Sequence, residues 1–224
     1  MTFLVTGASR GIGLELVRQL RARGDEVIAT VRDEKSAGPL RDLRARVEIC
    51  DVASEPSIAG LAARLGDAAL DVVINNAGVW GGDKQSVTRF DAAEALRTYQ
   101  TNALGPLLVS LALLPHLRRG TQKKLLHVTS GMGSIGDNSS GGSYGYRMAK
   151  AALNMASRSL AHDLKREGIA SAVINPGWVQ TDMGGSAAPT PVADSVAAIL
   201  VRLGELTLET SGAFLNWRGG TYPW

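Results

Sequence analysis

A chain of 224 residues, 45% of them hydrophobic, holds enough apolar material for one sizeable core and too little for two. Its 24 Lys and Arg against 21 Asp and Glu leave a dispersed formal charge of +3, which excludes the basic footprint of a nucleic-acid binder and points to a small-molecule partner. The single cysteine, Cys50, excludes an internal disulfide, and the opening MTFLVTGASR lacks the basic, apolar and small-residue pattern of a secretory signal. The longest apolar passage, 103–115, is shorter than a membrane span and contains Gly, Ser and Pro. A reducing, cytoplasmic setting with no membrane helix is the expectation.

In chain order, short β-branched runs closed by turn residues alternate with longer stretches whose apolar residues recur at helical spacing. The pattern predicts strands at 2–6, 26–31, 46–50, 71–75, 124–129, 170–175 and 212–216. Between them it predicts helices over 11–23, 55–65, 91–117, 146–167 and 190–204, with only a short, indefinite segment after the second strand. Most strand runs are continuously apolar, as strands covered by helices on both faces must be. The expected fold is α/β: a Rossmann-type, doubly wound, seven-stranded parallel sheet flanked by helices on both faces, forming a single domain over 1–224. Ligands of such sheets bind at the carboxyl ends of the strands, so the loops 132–143 and 177–191 are candidate site segments.

The first such end carries TGASRGIG, with Gly7, Gly11 and Gly13 leading into a helix. Glycines permit a tight turn and close approach of the backbone to a pyrophosphate, whose charge the N–H groups and dipole of the helix start can meet. The spacing differs from the common G-x-G-x-x-G pattern, so the position between first strand and first helix is the informative feature. At the end of the second strand, where an acidic residue would hold the free ribose of NAD, stands Arg32, and Arg10 adds a second positive charge; together they favour NADP. Asp33 either opposes that choice or caps the turn that follows. Asp51 and Val52, after the third strand, either edge the adenine or, for Asp51, cap the next helix at Ser54.

In GGSYGYRMAK two tyrosines precede a lysine. Helical residues four apart share a face, so Tyr146 pairs with Lys150 whereas Tyr144 does not. A phenol needs a nearby cation to ionise near neutrality, and Lys150 can supply one. By itself Y-x-x-x-K is equally a tyrosine packed in a helix interface beside a solvated lysine.

Four segments in order, TGASRGIG (6–13), NNAG (75–78), VTS (128–130) with YGYRMAK, and PGWVQTDM (176–183), resemble the short-chain dehydrogenase/reductase family over nearly the whole chain. The ending FLNWRGGTYPW resembles the tails of compact NADPH-dependent carbonyl reductases and of the C-factor-like bacterial branch. The resemblance implies a catalytic tetrad of Asn102, Ser130, Tyr146 and Lys150. Ser130 would bind the substrate carbonyl oxygen and Tyr146 would donate the proton. Lys150 would lower the tyrosine pKa and hold the nicotinamide ribose, while Asn102 would support a proton-relay water. For NADP(H) it implies contacts from Gly7, Ser9, Arg10, Gly11, Ile12 and Gly13, from Arg32, Asp51 and Val52, and from Asn76, Ala77 and Gly78. Tyr146 and Lys150 join them, with Pro176, Gly177, Val179 and Thr181 at the nicotinamide. Trp178 and Met183 either wall the substrate or pack on the core. The interval from Ser130 to Tyr146 is longer than in many members, which implies an insertion.

His116, His127 and His162 lie on separate predicted elements without ligand spacing, so they are read as structural and no metal is expected. Cys50 is read as an inert packed thiol. Association as a homodimer or homotetramer through the helices over 91–117 and 146–167, the fourth and fifth helices of the family's order, is implied by the resemblance. The activity it implies is NADPH-dependent reduction of a ketone or aldehyde; the alternative is a C-factor-like signalling or nucleotide-sensing role.

Overall fold

The computed structural model describes residues 1–224. Along the chain run β1 (Thr2–Val5), α1 (Gly11–Ala22), β2 (Glu26–Val31), α2 (Gly38–Asp42), β3 (Arg46–Ile49), α3 (Glu55–Leu65) and β4 (Val72–Asn75). A two-stranded ribbon follows, β5 (Gln85–Ser86) and β6 (Arg89–Phe90), then α4 (Ala92–Tyr99), α5 (Gly105–Ala112) and α6 (Leu114–Arg119). β7 (Lys124–Val128), α7 (Tyr144–Asp163), β8 (Ala170–Asn175), α8 (Val192–Glu205) and β9 (Phe214–Asn216) complete the order. The seven long-range strands pair in parallel in the order β3-β2-β1-β4-β7-β8-β9. Winding reverses between β1 and β4, which makes their carboxyl ends the crevice of the sheet. No helix is long and apolar enough to cross a membrane.

Continuous apolar strands follow from this layering. Phe3, Val5, Val72 and Ile74 face one side with Leu16 and Leu20 of α1 and Ile199 of α8. Leu4, Val73 and Leu125, one residue out of phase, face the other with Leu61 of α3, Val109 of α5 and Leu160 of α7. Both faces are therefore sealed. The edge strand β3 alternates instead, and its buried Glu48 is held by Arg46 and Arg64. Cys50 packs in the second core, where burial pushes its thiol pKa up.

Several boundaries depart from the sequence reading. The single helix over 91–117 is broken: α4 runs into a π-helical turn at Gln100–Leu104 before α5 and α6. Pro106 has no N–H to give the carbonyl four residues earlier, which is that of Asn102, so the regular ladder cannot pass this point. The helix predicted over 146–167 begins at Tyr144 and ends at Asp163. The last strand begins at Phe214, because Gly212 turns the chain with a φ of 83°. The ribbon β5–β6 carried no strand signal.

The strand ends opposite the crevice are tied by Asp71. Its carboxylate accepts from Thr2 N (2.8 Å), Thr121 N (2.8 Å) and Gln122 N (3.3 Å), joining β1, β4 and the turn into β7. Partial burial pushes this carboxyl up, but these bonds together outweigh it and hold the pKa below the usual aspartate value. A depressed folded pKa means stability that is complete above the ordinary value and lost as pH falls through the depressed one. Asp71→Asn should lower unfolding free energy by about 1–3 kcal/mol near neutrality. In denaturant titrations its gap from wild type should close in acid; a gap that persists there contradicts the assignment.

Candidate active site

The glycine loop leaves β1 at the crevice and is shaped by sterics. Gly7 and Gly11 hold φ of 63° and 55°, open to glycine at little cost. A Cβ on Gly7 would lie 2.7 Å from Ala77 Cα, and one on Gly13 would strike the Gly7 carbonyl, so the turn closes only without side chains. Thr6 and Asn76 lock it: Asn76 Nδ2 donates to Thr6 O (3.0 Å) and Gly7 O (3.1 Å), while Thr6 Oγ1 accepts from Asn76 N (3.0 Å) and Ala77 N (3.1 Å). Helix α1 has no side-chain cap, and the N–H groups of Gly11, Ile12 and Gly13 find no protein acceptor. Together these groups form a cradle whose free donors and missing side chains fit a pyrophosphate.

Arg32, just past β2, is exposed and enters no salt bridge. Asp33 is occupied instead, accepting from Ser36 N (3.1 Å) and Ser36 Oγ (2.9 Å), which resolves its ambiguity in favour of the turn cap. Asp51 accepts from Ala53 N (2.9 Å), whereas Ser54 is the side-chain cap of α3. Val52 packs in the second core, 7% exposed. Arg10 reaches across to Asp182 at 2.7 Å, an exposed pair joining the glycine loop to the segment after β8. Thr181 lies on the same seam, its Cγ2 3.2 Å from where a Cβ of Gly11 would be.

Of the four residues read as a tetrad, Ser130, Tyr146 and Lys150 converge at the ends of β7 and α7. Lys150 is 4% exposed, donates from Nζ to Val128 O (2.9 Å) and stands 5.8 Å from the centroid of the Tyr146 ring. Asn102 approaches from the π-helical turn. Its amide brackets Val79, accepting from Val79 N (2.8 Å) and donating to Val79 O (2.8 Å). A Cβ on Gly78 would be 3.3 Å from Asn102 Oδ1 and 3.7 Å from Lys150 Nζ, so a bare glycine leaves room beside the amine.

The electrostatics differ from the sequence expectation. Burial pushes Tyr146 up to about 12, and the nearby Ser130 side chain offsets only part of this. Burial likewise pushes Lys150 down to about 8. Desolvation of the phenolate therefore dominates, and the lowering comes from Ser130 rather than from the expected lysine. His127, on β7 beside them, is held near 3 by burial and by the Lys150 charge, so it stays neutral. It bonds Asn75 Nδ2 (3.2 Å) on one side and Ser171 Oγ (3.4 Å) on the other.

Several supporting residues carried no signal in the sequence. Gln85 accepts from Tyr146 N (2.8 Å) and donates to Trp80 O (3.0 Å) and Gly82 O (2.8 Å), fixing the start of α7 to the loop after β4. Trp80 sets its ring 4.8 Å from that of Tyr146. Only its place just past NNAG could have flagged it. Arg147 holds the loop before α7 through Ser140 Oγ (2.8 Å) and the carbonyls of Gly141 and Gly142 (both 3.2 Å). After β8, Pro176 O is held by Ser195 Oγ (2.7 Å), and Gly177 at φ 85° passes so close to Trp217 that a Cβ would sit 2.6 Å from its Nε1. The Val179 N–H has no protein acceptor. Trp178 and Met183 are 57% and 49% exposed, so they do not pack on the core.

Residues 1–191 match the family described as short chain dehydrogenase. Among curated proteins, the chain is 49% identical to the C-signal of Myxococcus xanthus over 160 residues, covering 69% of this chain and 93% of that protein. It is 36% identical to 1-hydroxy-2-glutathionyl-2-methyl-3-butene dehydrogenase of Rhodococcus sp. (strain AD45), over 100% and 99% of the two chains. Among solved structures, the NADPH-bound carbonyl reductase from chicken fatty liver superposes with a TM-score of 0.92 at 35% identity, over 100% of this chain and 98% of that one. The carbonyl reductase Sniffer of D. melanogaster superposes with a TM-score of 0.92 at 32% identity, over 100% and 99%. With its cradle, parallel sheet and tyrosine–lysine helix, the chain belongs to the short-chain dehydrogenase/reductase family of oxidoreductases.

Proposed function

We propose that the chain is an NADP(H)-dependent reductase of a ketone or aldehyde, with residues 1–224 serving as one dinucleotide-binding and catalytic domain. One observation carries the reading: a buried ammonium stands 5.8 Å from the ring of a buried phenol. The NADPH-bound chicken carbonyl reductase supports the choice of chemistry.

The cofactor would supply the hydride. Gly7, Ser9, Gly11, Ile12 and Gly13 would hold its pyrophosphate on the free N–H groups of α1. Arg32 would hold the 2'-phosphate. Arg10 would share that task, since an exposed pair such as the one with Asp182 is worth little and leaves the guanidinium free to turn. Asp51 and Val52 would border the adenine, and Asn76, Ala77 and Gly78 the ribose. Pro176, Gly177 and Thr181 would border the nicotinamide, whose carboxamide the unpaired Val179 N–H suits.

Ser130 holds the substrate carbonyl oxygen, and Tyr146 gives that oxygen its proton as negative charge develops there. A phenol pushed up to about 12 is fully protonated at neutral pH, the form a donor needs. An alkoxide is a stronger base than a phenolate, so the transfer still runs downhill. Lys150 stabilises the phenolate left behind and orients the nicotinamide ribose. Asn102 supports the water that returns a proton. Trp80, Trp178 and Met183 give the substrate apolar walls. Exposed Leu96, Leu111, Met148 and Met155 on α4, α5 and α7 support association as a homodimer or homotetramer, which sedimentation reads directly.

The likeness to C-signal supports a second reading, in which signalling or nucleotide sensing outranks turnover. Tyr146→Phe separates the two. It should lower reduction by about 10² or more while calorimetry still detects NADPH binding; turnover near wild type contradicts the assigned donor. A biological role that survives the change favours sensing. Arg32→Ala should weaken NADPH far more than NADH in binding titrations, and equal losses contradict the phosphate contact.

A further inference from the structure

Ser130 lies at the root of a long loop, 131–143, and a catalytic hydroxyl must be held to within about 0.5 Å to act. From the α7 side the loop is pinned by Arg147. A second set of contacts holds the loop from elsewhere in the fold. The segment Thr221–Trp224, which follows β9, folds back and supplies them. The Trp224 carbonyl accepts from Gly136 N at 2.7 Å and from Ser134 Oγ at 3.2 Å. The Tyr222 hydroxyl donates to Asp137 Oδ2 at 2.6 Å. That same hydroxyl reaches the residue adjoining Ser130: a Cβ on Gly131 would lie 2.7 Å from it, so Gly131 and Tyr222 fit only as glycine and ring.

The segment is itself anchored to the sheet. Phe214 of β9, 1% exposed, packs its ring 5.2 Å from Tyr222 and 5.4 Å from Trp224. Tyr222 N donates to Phe214 O at 2.6 Å, and the Arg158 guanidinium of α7 lies 6.0 Å from the Trp224 ring. Rigidity therefore passes from β9 through Tyr222 and Trp224 into the loop, and from the loop to Ser130. Ser134 shows the consequence, being 2% exposed in the middle of a loop whose other residues largely face solvent.

We infer that the segment Tyr222–Trp224 is a clasp that positions the Ser130 loop, with Tyr222 and Asp137 acting as positioning residues through their shared hydrogen bond. The inference deepens the reductase reading and rests on it for its kinetic consequence. Its geometric consequence is independent of that reading.

The test uses the full chain with NADPH and a carbonyl substrate that the wild type reduces, comparing Tyr222→Phe, Asp137→Ala and the double variant. Phenylalanine keeps the packing on Phe214 and removes only the hydroxyl. Each single variant should lower kcat/KM about fivefold, the worth of one ordinary hydrogen bond, with NADPH affinity unchanged. Because both act through one bond, the double variant should be no worse than either single. Backbone hydrogen exchange should quicken over 131–137 and stay unchanged in α7. Wild-type kinetics in Tyr222→Phe, additive losses in the double variant, or unaltered exchange over 131–137 each overturn the clasp. A wild type that reduces no carbonyl overturns the reductase reading instead, and the exchange measurement still decides the clasp.

Discussion

Lys150 keeps an ammonium group almost wholly out of water with one protein acceptor, the Val128 carbonyl. Burying a charge in this way is costly, and the cost appears as the fall of its pKa to about 8. The surroundings are arranged so that the charge remains tolerable. His127 is held neutral beside it, so no second cation competes, and the sheet beneath is polar without being ionised. Ser110, Asn75, His127, Ser171 and Ser157 form a continuous run of hydrogen bonds through that layer. Asn75 Oδ1 alone lacks a partner there, a residual cost beneath the crevice. Two of the three ammonium hydrogens have no protein acceptor.

The remaining parts of the site are placed by the topology. In a doubly wound sheet the loops after β1, β4, β7 and β8 all open on one edge, so four segments remote in sequence meet without long connections. Side chains then cross-link them: Asn76 ties the loop after β4 to the glycine loop, Gln85 ties it to α7, and Arg10 with Asp182 joins the first loop to the last. The glycines are the counterpart of these ties, since Gly7, Gly13 and Gly177 each sit where a single carbon would push two segments apart. A site built this way is rigid where a nucleotide would lie and open where Trp178 and Met183 face solvent.

The strands and the glycine loop were legible in the sequence because their causes are local: continuous apolar runs, and glycines at a strand end. That Tyr146 rather than Tyr144 shares a face with Lys150 was legible from helical spacing alone, even though the helix begins at Tyr144. What the sequence hid depends on distant partners. The π-helical turn that presents Asn102 follows from Pro106, yet a pattern of apolar residues reads straight through it. Gln85, Arg147 and Tyr222 are ordinary polar residues until the fold sets them against Tyr146, the loop and Asp137. The tyrosine's electrostatics were misread for a related reason. Spacing reports that a cation is near, but the burial that dominates belongs to the tertiary structure.

The central claim is that reduction depends on a charged Lys150 whose affinity for its proton has been weakened by burial. The direct measurement is the pH dependence of kcat/KM for carbonyl reduction with saturating NADPH. The ammonium is present below its pKa, so the rate should hold through neutrality and fall as pH rises through about 8. A rate that climbs through that range, or that stays level until the ordinary lysine value near 10.4 is reached, would contradict the account.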